Sequence, residues 1–367
     1  MKICYLADGV SIHTQKWIKY FADREHEVHL ISKRSCGPMH GVTMHLLRRL
    51  PESAAFAPFN LLSTIAQIRM MIKEIAPDIL HSHYILDYGF YGSLTGFHPF
   101  VASAWGTDVL IVPNRSRVLR ALTRYALEKA DLITCNGENS KSAMIDLGVD
   151  GGKIKLISHG IDTRRFNPQR RDEALRADLG LGESSTVISI RNLKPIYNLA
   201  SLIEAVPLVL KEIPDARFIV AGEGDEKSAL VKLAKSRGVS DHVLFVGAIP
   251  PERIPAYLAS SDVYVSTSLS DGMSVSTLEA MASGLAPVTT DVGDVRRWIK
   301  DGKNGFVVPI KNPEALAEKI IYMLRNKEVL KRFGATNQSL IKERADYYKE
   351  MEKVGRIYEN LIEGHKK

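Results

Sequence analysis

Short apolar runs alternate with amphipathic stretches of about ten residues or more along most of this chain, and that rhythm limits the folds open to it. KICYLA, EVHLIS, DILHSHY, PFVASAW, LITCN and IKLISHG read as strands. HTQKWIKYFADRE, LLSTIAQIRMMIKEIA, RVLRALTRYALEKA and SKSAMIDLG read as helices among them. Strands joined through helices of this length run parallel, because a hairpin cannot be made that way. The rhythm breaks over Asp162–Ser185, a charged stretch containing Pro168 that reads as a linker. It then restarts with TVISIRNL, ARFIVAG, VLFVGAI, VYVSTS, APVTT and GFVVP as strands and further helices up to 331–363. The expected fold class is α/β, with two doubly wound domains facing each other. Residues 1–165 form the first, 166–345 the second, and 346–367 a C-terminal helix packing back toward the first. A length of 367 residues suits two domains. In such sheets ligands bind beyond the carboxyl ends of the strands, so the loops after strands are where function is expected.

No stretch reaches the ~20 apolar residues of a membrane span, and the apolar run at the N-terminus is too short for a secretory signal. A cytoplasmic protein is expected, with Cys4, Cys36 and Cys135 as reduced thiols, since none forms a C-x-x-C pair. The net charge of +7 sits mainly in residues 1–165, with 20 Lys/Arg against 15 Asp/Glu. That excess fits an anionic partner such as a membrane surface or a phosphorylated substrate. The basic residues lack interleaved aromatics, and no nucleic-acid module is present.

The most informative loop is STSLSDGMSVSTLEAMASGLAPVTTDVGD. A strand runs into Asp271 and Gly272, and a helix opens near Ser276 carrying Glu279. Free N–H groups and the dipole make that helix end an anion site, and a carboxylate can clamp two vicinal hydroxyls. On two acids alone, the plainer reading is a turn residue and a solvated helix acid. Arg191 ends a strand in SIRNLKPIYN. AGEGDEK is only part of a G-x-G-x-x-G, because Lys227 stands at the third glycine, which disfavours a dinucleotide oxidoreductase. No D-x-D occurs, so the carboxylate clamp for a diphosphate-bound divalent ion is missing. His81 and His83 sit at i, i+2 without an evident third ligand, and no metal site is expected.

The acidic pair Asp271 and Glu279, followed by LEAMASG, APV and DGKNGFVVP, resembles the donor motif of glycosyltransferase family 4. MKICYLADGVSIHTQKW, PDILHSHY, AWGTDVL, ISHGIDTRRFNP and AGEGDE fall in the family's order, so the resemblance covers essentially the whole chain. It implies the GT-B architecture, two Rossmann-like domains across a cleft, and retaining transfer from a nucleotide-diphosphate sugar. It further implies that Glu279 binds the ribose and that the N–H groups of Val275 and Ser276 bind the diphosphate. Asp271 with the backbone of Gly272, Met273 and Ser274 would hold the transferred sugar, and Arg191 the diphosphate. Gly9, Gly222 and Glu223 would border the donor, and Ala248 and Ile249 the base. Ser11, His13 and His83 would face the acceptor. Catalytic candidates are Asp271, Arg191, Lys194 and Asp108.

Three positions depart from the family pattern. Asp271 stands where relatives usually have Glu. Tyr197 replaces the lysine six positions after Arg191, so that either Lys194 takes its place or Tyr197 supplies a hydroxyl; the first is favoured. Trp105 replaces a histidine. The expected enzyme is a metal-independent, cofactor-free hexosyltransferase of glycan biosynthesis. Its acceptor would be a glycan, a lipid-linked molecule or a small molecule, with peripheral contact to an anionic membrane through Arg48, Arg49 and the helix bearing Arg115, Arg117, Arg120 and Arg124. A non-catalytic nucleotide-sugar sensor or scaffold and a GT-B epimerase are the alternatives.

Overall fold

The computed structural model describes residues 1–48, 57–158, 160–272 and 274–366. The chain divides into two compact units, Met1–His159 with Tyr348–Lys367, and Gly160–Tyr347. The first is built on seven strands: β1 Lys2–Leu6, β2 Glu27–Ser32, β3 Val42–Leu46, β4 Ile79–His83, β5 Phe100–Ala104, β6 Leu132–Cys135 and β7 Ile154–Leu156. The second is built on six: β8 Thr186–Ile190, β9 Arg217–Ala221, β10 Val243–Gly247, β11 Val263–Ser266, β12 Ala286–Thr290 and β13 Phe306–Val308. Every strand pairing is parallel. The orders are β3-β2-β1-β4-β5-β6-β7 and β10-β9-β8-β11-β12-β13, both doubly wound.

Burial follows the apolar runs. In the first unit Cys4, Leu6, Leu80, Phe100, Ala102 and Ile133 pack with Ile68, Ile72 and Leu127 from helices. In the second, one sheet face packs Val187, Phe218, Val265 and Val288 against Leu202, Val206 and Ile320, and the other packs Ile188, Ile219 and Tyr264 against Leu278 and Met281. Burial pushes the Cys4 thiol up to about 12, as suits an inert reduced thiol.

Four local features differ from the sequence reading. β3 was not anticipated, because VTMHL is an edge strand with no fully buried position. Between β4 and β5 a π-turn, Tyr84–Gly89, leads into the helix Phe90–Thr95. That helix lies so close to β5 that a Cβ on Gly92 would sit 2.7 Å from the Phe100 ring. The stretch read as a linker is packed, with Phe166, Leu175 and Leu181 buried. The expected 331–363 helix is two helices, Lys327–Arg344 and Tyr347–Lys366. At the break Ile161 N donates to Ala345 O at 2.7 Å and Tyr347 N donates to Ile161 O at 3.0 Å. A distant segment thus takes the backbone groups that helix continuation would use, which local periodicity cannot reveal.

The last helix is tied into the first unit. Tyr358 Oη meets Tyr5 Oη at 3.2 Å and also bonds His81 Nδ1. His81 Nε2 meets Ser103 Oγ at 2.7 Å, which meets Thr134 Oγ1 at 2.6 Å. Burial, then the neighbouring His83, holds His81 well below the usual histidine range, so it is neutral. Replacing Tyr358 with Phe leaves His81 Nδ1 buried and unbonded. The expected cost is about 1–3 kcal/mol, read as a lower denaturant midpoint.

Candidate functional site

In the second sheet the winding direction reverses between β8 and β11. The carboxyl ends flanking such a reversal are where doubly wound sheets hold ligands. Arg191 follows β8 directly, and the segment from Thr267 to Ser274 follows β11. Other loops brace this segment. Thr267 Oγ1 donates to Tyr197 O at 3.0 Å, Leu269 N to Ile196 O at 2.8 Å, and Thr290 Oγ1 to Ser268 O at 2.6 Å. A Cβ on Gly293 would lie 2.2 Å from Asp271 O, so only glycine lets the segment after β12 approach this closely.

The guanidinium of Arg191 is the centre of the arrangement. It donates to Asp271 Oδ2 at 2.5 Å, Ser274 Oγ at 3.0 Å, Ser276 Oγ at 3.1 Å and Ser268 Oγ at 3.4 Å. Its Cζ lies 4.2 Å from the centre of the Tyr197 ring. Arg191 is therefore fixed by an ion pair, three hydroxyls and a cation–π contact, which spares a ligand the cost of ordering it. The helix Val275–Ala282 opens beside it, capped by Ser274, whose Oγ accepts from Thr277 N at 3.3 Å. The buried Tyr264 hydroxyl meets Ser276 Oγ at 2.8 Å. One cation, two serines and a helix N-terminus converge here, a combination that favours an anion. Glu279 is half-buried one turn into the helix. A cavity of about 30 Å3 beneath the loop is lined by Asp271, Gly272, Thr289 and Trp298.

Asp271 and Arg191, assigned separately to sugar and diphosphate from the sequence, are thus bonded to each other. Tyr197 presents its ring face to Arg191. Lys194 is exposed, and its ammonium has no bonded partner among the described residues. Gly222 has a φ of +135°, and a Cβ there would sit 2.3 Å from Arg191 O; it lets the β9 end press against the residue that ends β8. Glu223 is exposed and pairs with Lys227 at 3.0 Å. Ala248 is exposed and Ile249 half-buried just after β10. Met273 and Arg49, together with His159 of the ISHGID run, lie outside the described residues.

In the first unit the reversal falls between β1 and β4. Gly9 follows β1, its N–H donating to Ser32 Oγ at 3.0 Å. A Cβ on Gly9 would meet Arg34 O and Cys36 Sγ at 3.2 Å, so its close packing is to this chain's own backbone and side chains. Ser11 caps the helix Ile12–Ala22. His13 is half-buried edge-on to Trp105, ring centroids 5.6 Å apart, and burial, then Lys16, lowers its pKa. His83 is buried, with Nδ1 at 3.2 Å from Thr14 Oγ1 and the Trp105 ring 4.9 Å away. His83, expected on the acceptor side, thus occupies a packed position in the first unit.

Asp108 requires a larger correction. It is fully buried, and its carboxylate accepts from Ile85 N at 2.9 Å, Trp105 N at 3.0 Å and Gly106 N at 2.9 Å. Burial raises its pKa against these bonds. It holds the loops after β4 and β5 in place and has no exposed face for a sugar. Asp108→Ala orphans three backbone donors. It is expected to cost about 2–4 kcal/mol, measurable as a fall in Tm.

The family profile described as glycosyl transferases group 1 matches residues 171–339, and the profile glycosyl transferase 4-like matches residues 2–137. EpsD of Bacillus subtilis, named as a glycosyltransferase, is 30% identical over 304 residues, 78% of this chain and 77% of EpsD. The chain belongs to the group 1 glycosyltransferases. N-acetyl-alpha-D-glucosaminyl L-malate synthase of Bacillus anthracis is 23% identical to this glycosyltransferase, covering 95% of the chain and 93% of the synthase. The crystal structure of Anabaena HepE in complex with UDP has the same fold, with a TM-score of 0.84 at 20% identity, covering 98% of this chain and 100% of that one. The chain thus has the α/β GT-B fold class, with one doubly wound parallel sheet in each unit.

Sequence reasoning missed several parts of the arginine setting. Ser268 and Tyr264 lie in VYVSTS, where the strand reading alone placed them without roles. Tyr197, a candidate hydroxyl donor by sequence, contributes its ring face to Arg191. An aromatic six residues after a strand-end arginine is the signal that would have suggested it.

Proposed function

We propose that this glycosyltransferase takes a sugar from a nucleotide-diphosphate donor held between Arg191 and the N-terminus of the Val275–Ala282 helix. The supporting observation is the fixed guanidinium, bonded to Ser274 and Ser276 at the open end of that helix. Relatives support the donor class: the HepE structures include complexes with UDP and UDP-glucose, and the Bacillus anthracis relative is named for moving an N-acetylglucosaminyl group. A diphosphate arriving at Arg191 competes with Asp271 for the guanidinium. Asp271, released toward the sugar, would then accept from its hydroxyls. As the sugar–phosphate bond breaks, charge grows on the leaving diphosphate, and Arg191 with the helix N–H groups stabilises it without a bound metal or other cofactor.

Transfer proceeds with retention, by attack on the face the diphosphate leaves, with a donor phosphate oxygen taking the acceptor's proton. The acceptor is a glycan, lipid-linked or small hydroxyl compound. No helix among the described residues is long and apolar enough to cross a membrane. The helix Arg117–Lys129 exposes Arg117, Val118, Arg120 and Arg124 on its surface, which suits a cytoplasmic enzyme docking on anionic lipid; salt-sensitive co-sedimentation with anionic vesicles checks this part.

The test is transfer from UDP-, GDP- and ADP-sugars to a panel of glycan and lipid-linked acceptors with and without chelator, the anomeric configuration read by NMR. An α-linked product from an α-donor, unaffected by chelator, is expected. Inversion overturns the proposed stereochemistry. Binding without hydrolysis or transfer for any donor and acceptor overturns the catalytic reading.

A further inference from the structure

We propose that His98, Asp131 and His365 form a divalent transition-metal site in the first unit, closing the last turn of the C-terminal helix onto the sheet. One ligand atom from each residue lies within 4.8 Å of the other two. His98 Nδ1 donates to Asp131 Oδ2 at 2.7 Å, and Phe100 N donates to the same oxygen at 2.7 Å, which fixes the carboxylate. His365 Nε2 stands 3.8 Å from Asp131 Oδ1. The tautomer of His365 follows from its other nitrogen. Nδ1 is 2.9 Å from Leu361 O, and a carbonyl only accepts, so Nδ1 carries the proton. Nε2 then faces a carboxylate oxygen at 3.8 Å, a gap that a proton on Nε2 or a metal cation would fill. A histidine whose second nitrogen is held by a backbone carbonyl is also the usual preparation of a metal ligand.

The donor set selects the ion. Two imidazoles and one carboxylate suit Zn2+, Ni2+, Co2+ or Cu2+, whereas Mg2+ and Ca2+ take oxygen ligands. With its Nδ1 proton held by Asp131, His98 has Nε2 as its free lone pair, and zinc bonds of about 2.0–2.2 Å require the imidazoles to reorient around the carboxylate. The side chains can do so, being 45%, 23% and 38% exposed for His98, Asp131 and His365. The two imidazole rings are already parallel to within 5°. His98 precedes β5 and Asp131 precedes β6, so the site lies at the amino ends of these strands. Gly9 and His83 lie at the carboxyl edge of the same sheet. The metal therefore has a structural role: Tyr358 anchors the middle of the helix, and the ion anchors its end. Residues 98, 131 and 365 follow no ligand spacing, so local sequence pattern does not reveal them.

The full chain, stripped with chelator and dialysed, is titrated with Zn2+ and with Mg2+ by calorimetry, and Tm is followed in parallel. One equivalent of Zn2+ is expected to bind and raise Tm, with no response to Mg2+. His365→Ala and His98→Ala should each weaken Zn2+ binding about tenfold or more and lose the Tm rise, with unchanged circular dichroism. His29 and His45, 3.0 Å apart, form a separate histidine pair in the same unit, and His45→Ala should leave the isotherm unchanged. Failure of wild type to bind Zn2+, equal binding by wild type and both variants, or loss of binding in His45→Ala instead would overturn the site.

Discussion

Replacing Arg191 with alanine is expected to lower kcat about 10²–10³-fold, the usual consequence of removing one charge-stabilising donor from a leaving-group or oxyanion site. Among the described residues the guanidinium is the cationic group in the site that the protein itself holds in place, through Asp271, Ser268, Ser274, Ser276 and the Tyr197 ring. The Lys194 side chain is exposed, with its ammonium unbonded among the described residues, so it is not pre-positioned to substitute. The variant should fold, because what remains is three hydroxyls and a carboxylate already 20% exposed. Arg191→Lys should recover little of the loss, since an ammonium cannot reach Asp271 and two serines together or stack flat on a ring. Single-turnover measurement with saturating donor separates this loss in the chemical step from weakened binding. A loss confined to KM would place Arg191 in ground-state binding only.

The second large effect is expected at Glu279. On the proposed reading its carboxylate accepts from two ribose hydroxyls, and charged hydrogen bonds of this kind are worth about 1.5–3 kcal/mol each. Glu279→Ala should therefore weaken nucleotide binding by about 100-fold or more, with the fold intact because the side chain is half-buried on a helix surface. Glu279→Gln should fall between the two, keeping one acceptor and losing the charge. Equilibrium binding of the bare nucleoside diphosphate measures this without interference from the acceptor. A dissociation constant within threefold of wild type in Glu279→Ala would assign the ribose to another residue.

The alternation of apolar runs and amphipathic helices carried the six strands of the second unit and six of the seven in the first, because buried parallel strands announce themselves locally. β3 escaped because an edge strand with half-exposed positions has no such signature. The break between the last two helices escaped because its cause, Ile161, lies far away in sequence. The same division runs through the site. The loop containing Asp271 and the helix containing Glu279 were readable as a strand–turn–helix anion site, and Arg191 as a strand-end cation. That Asp271 and Arg191 bond each other, and that Tyr197 underlies the guanidinium, depends on three loops meeting at a sheet edge. Asp108 shows the opposite error. An acid in a loop after a strand reads as a contact for substrate, and only its burial against three backbone N–H groups shows that it serves the loops.

A thermal-shift panel of UDP-, GDP- and ADP-sugars, run on wild type, Arg191→Ala and Glu279→Ala, tests whether the Arg191–Asp271–Glu279 region is a nucleotide-sugar site. A ligand that binds the native state at 100 times its dissociation constant adds about 2.7 kcal/mol. At least one nucleotide class is expected to raise the Tm of wild type, and both variants to lose most of the rise. No shift with any donor, or an undiminished shift in both variants, would contradict that reading of the region.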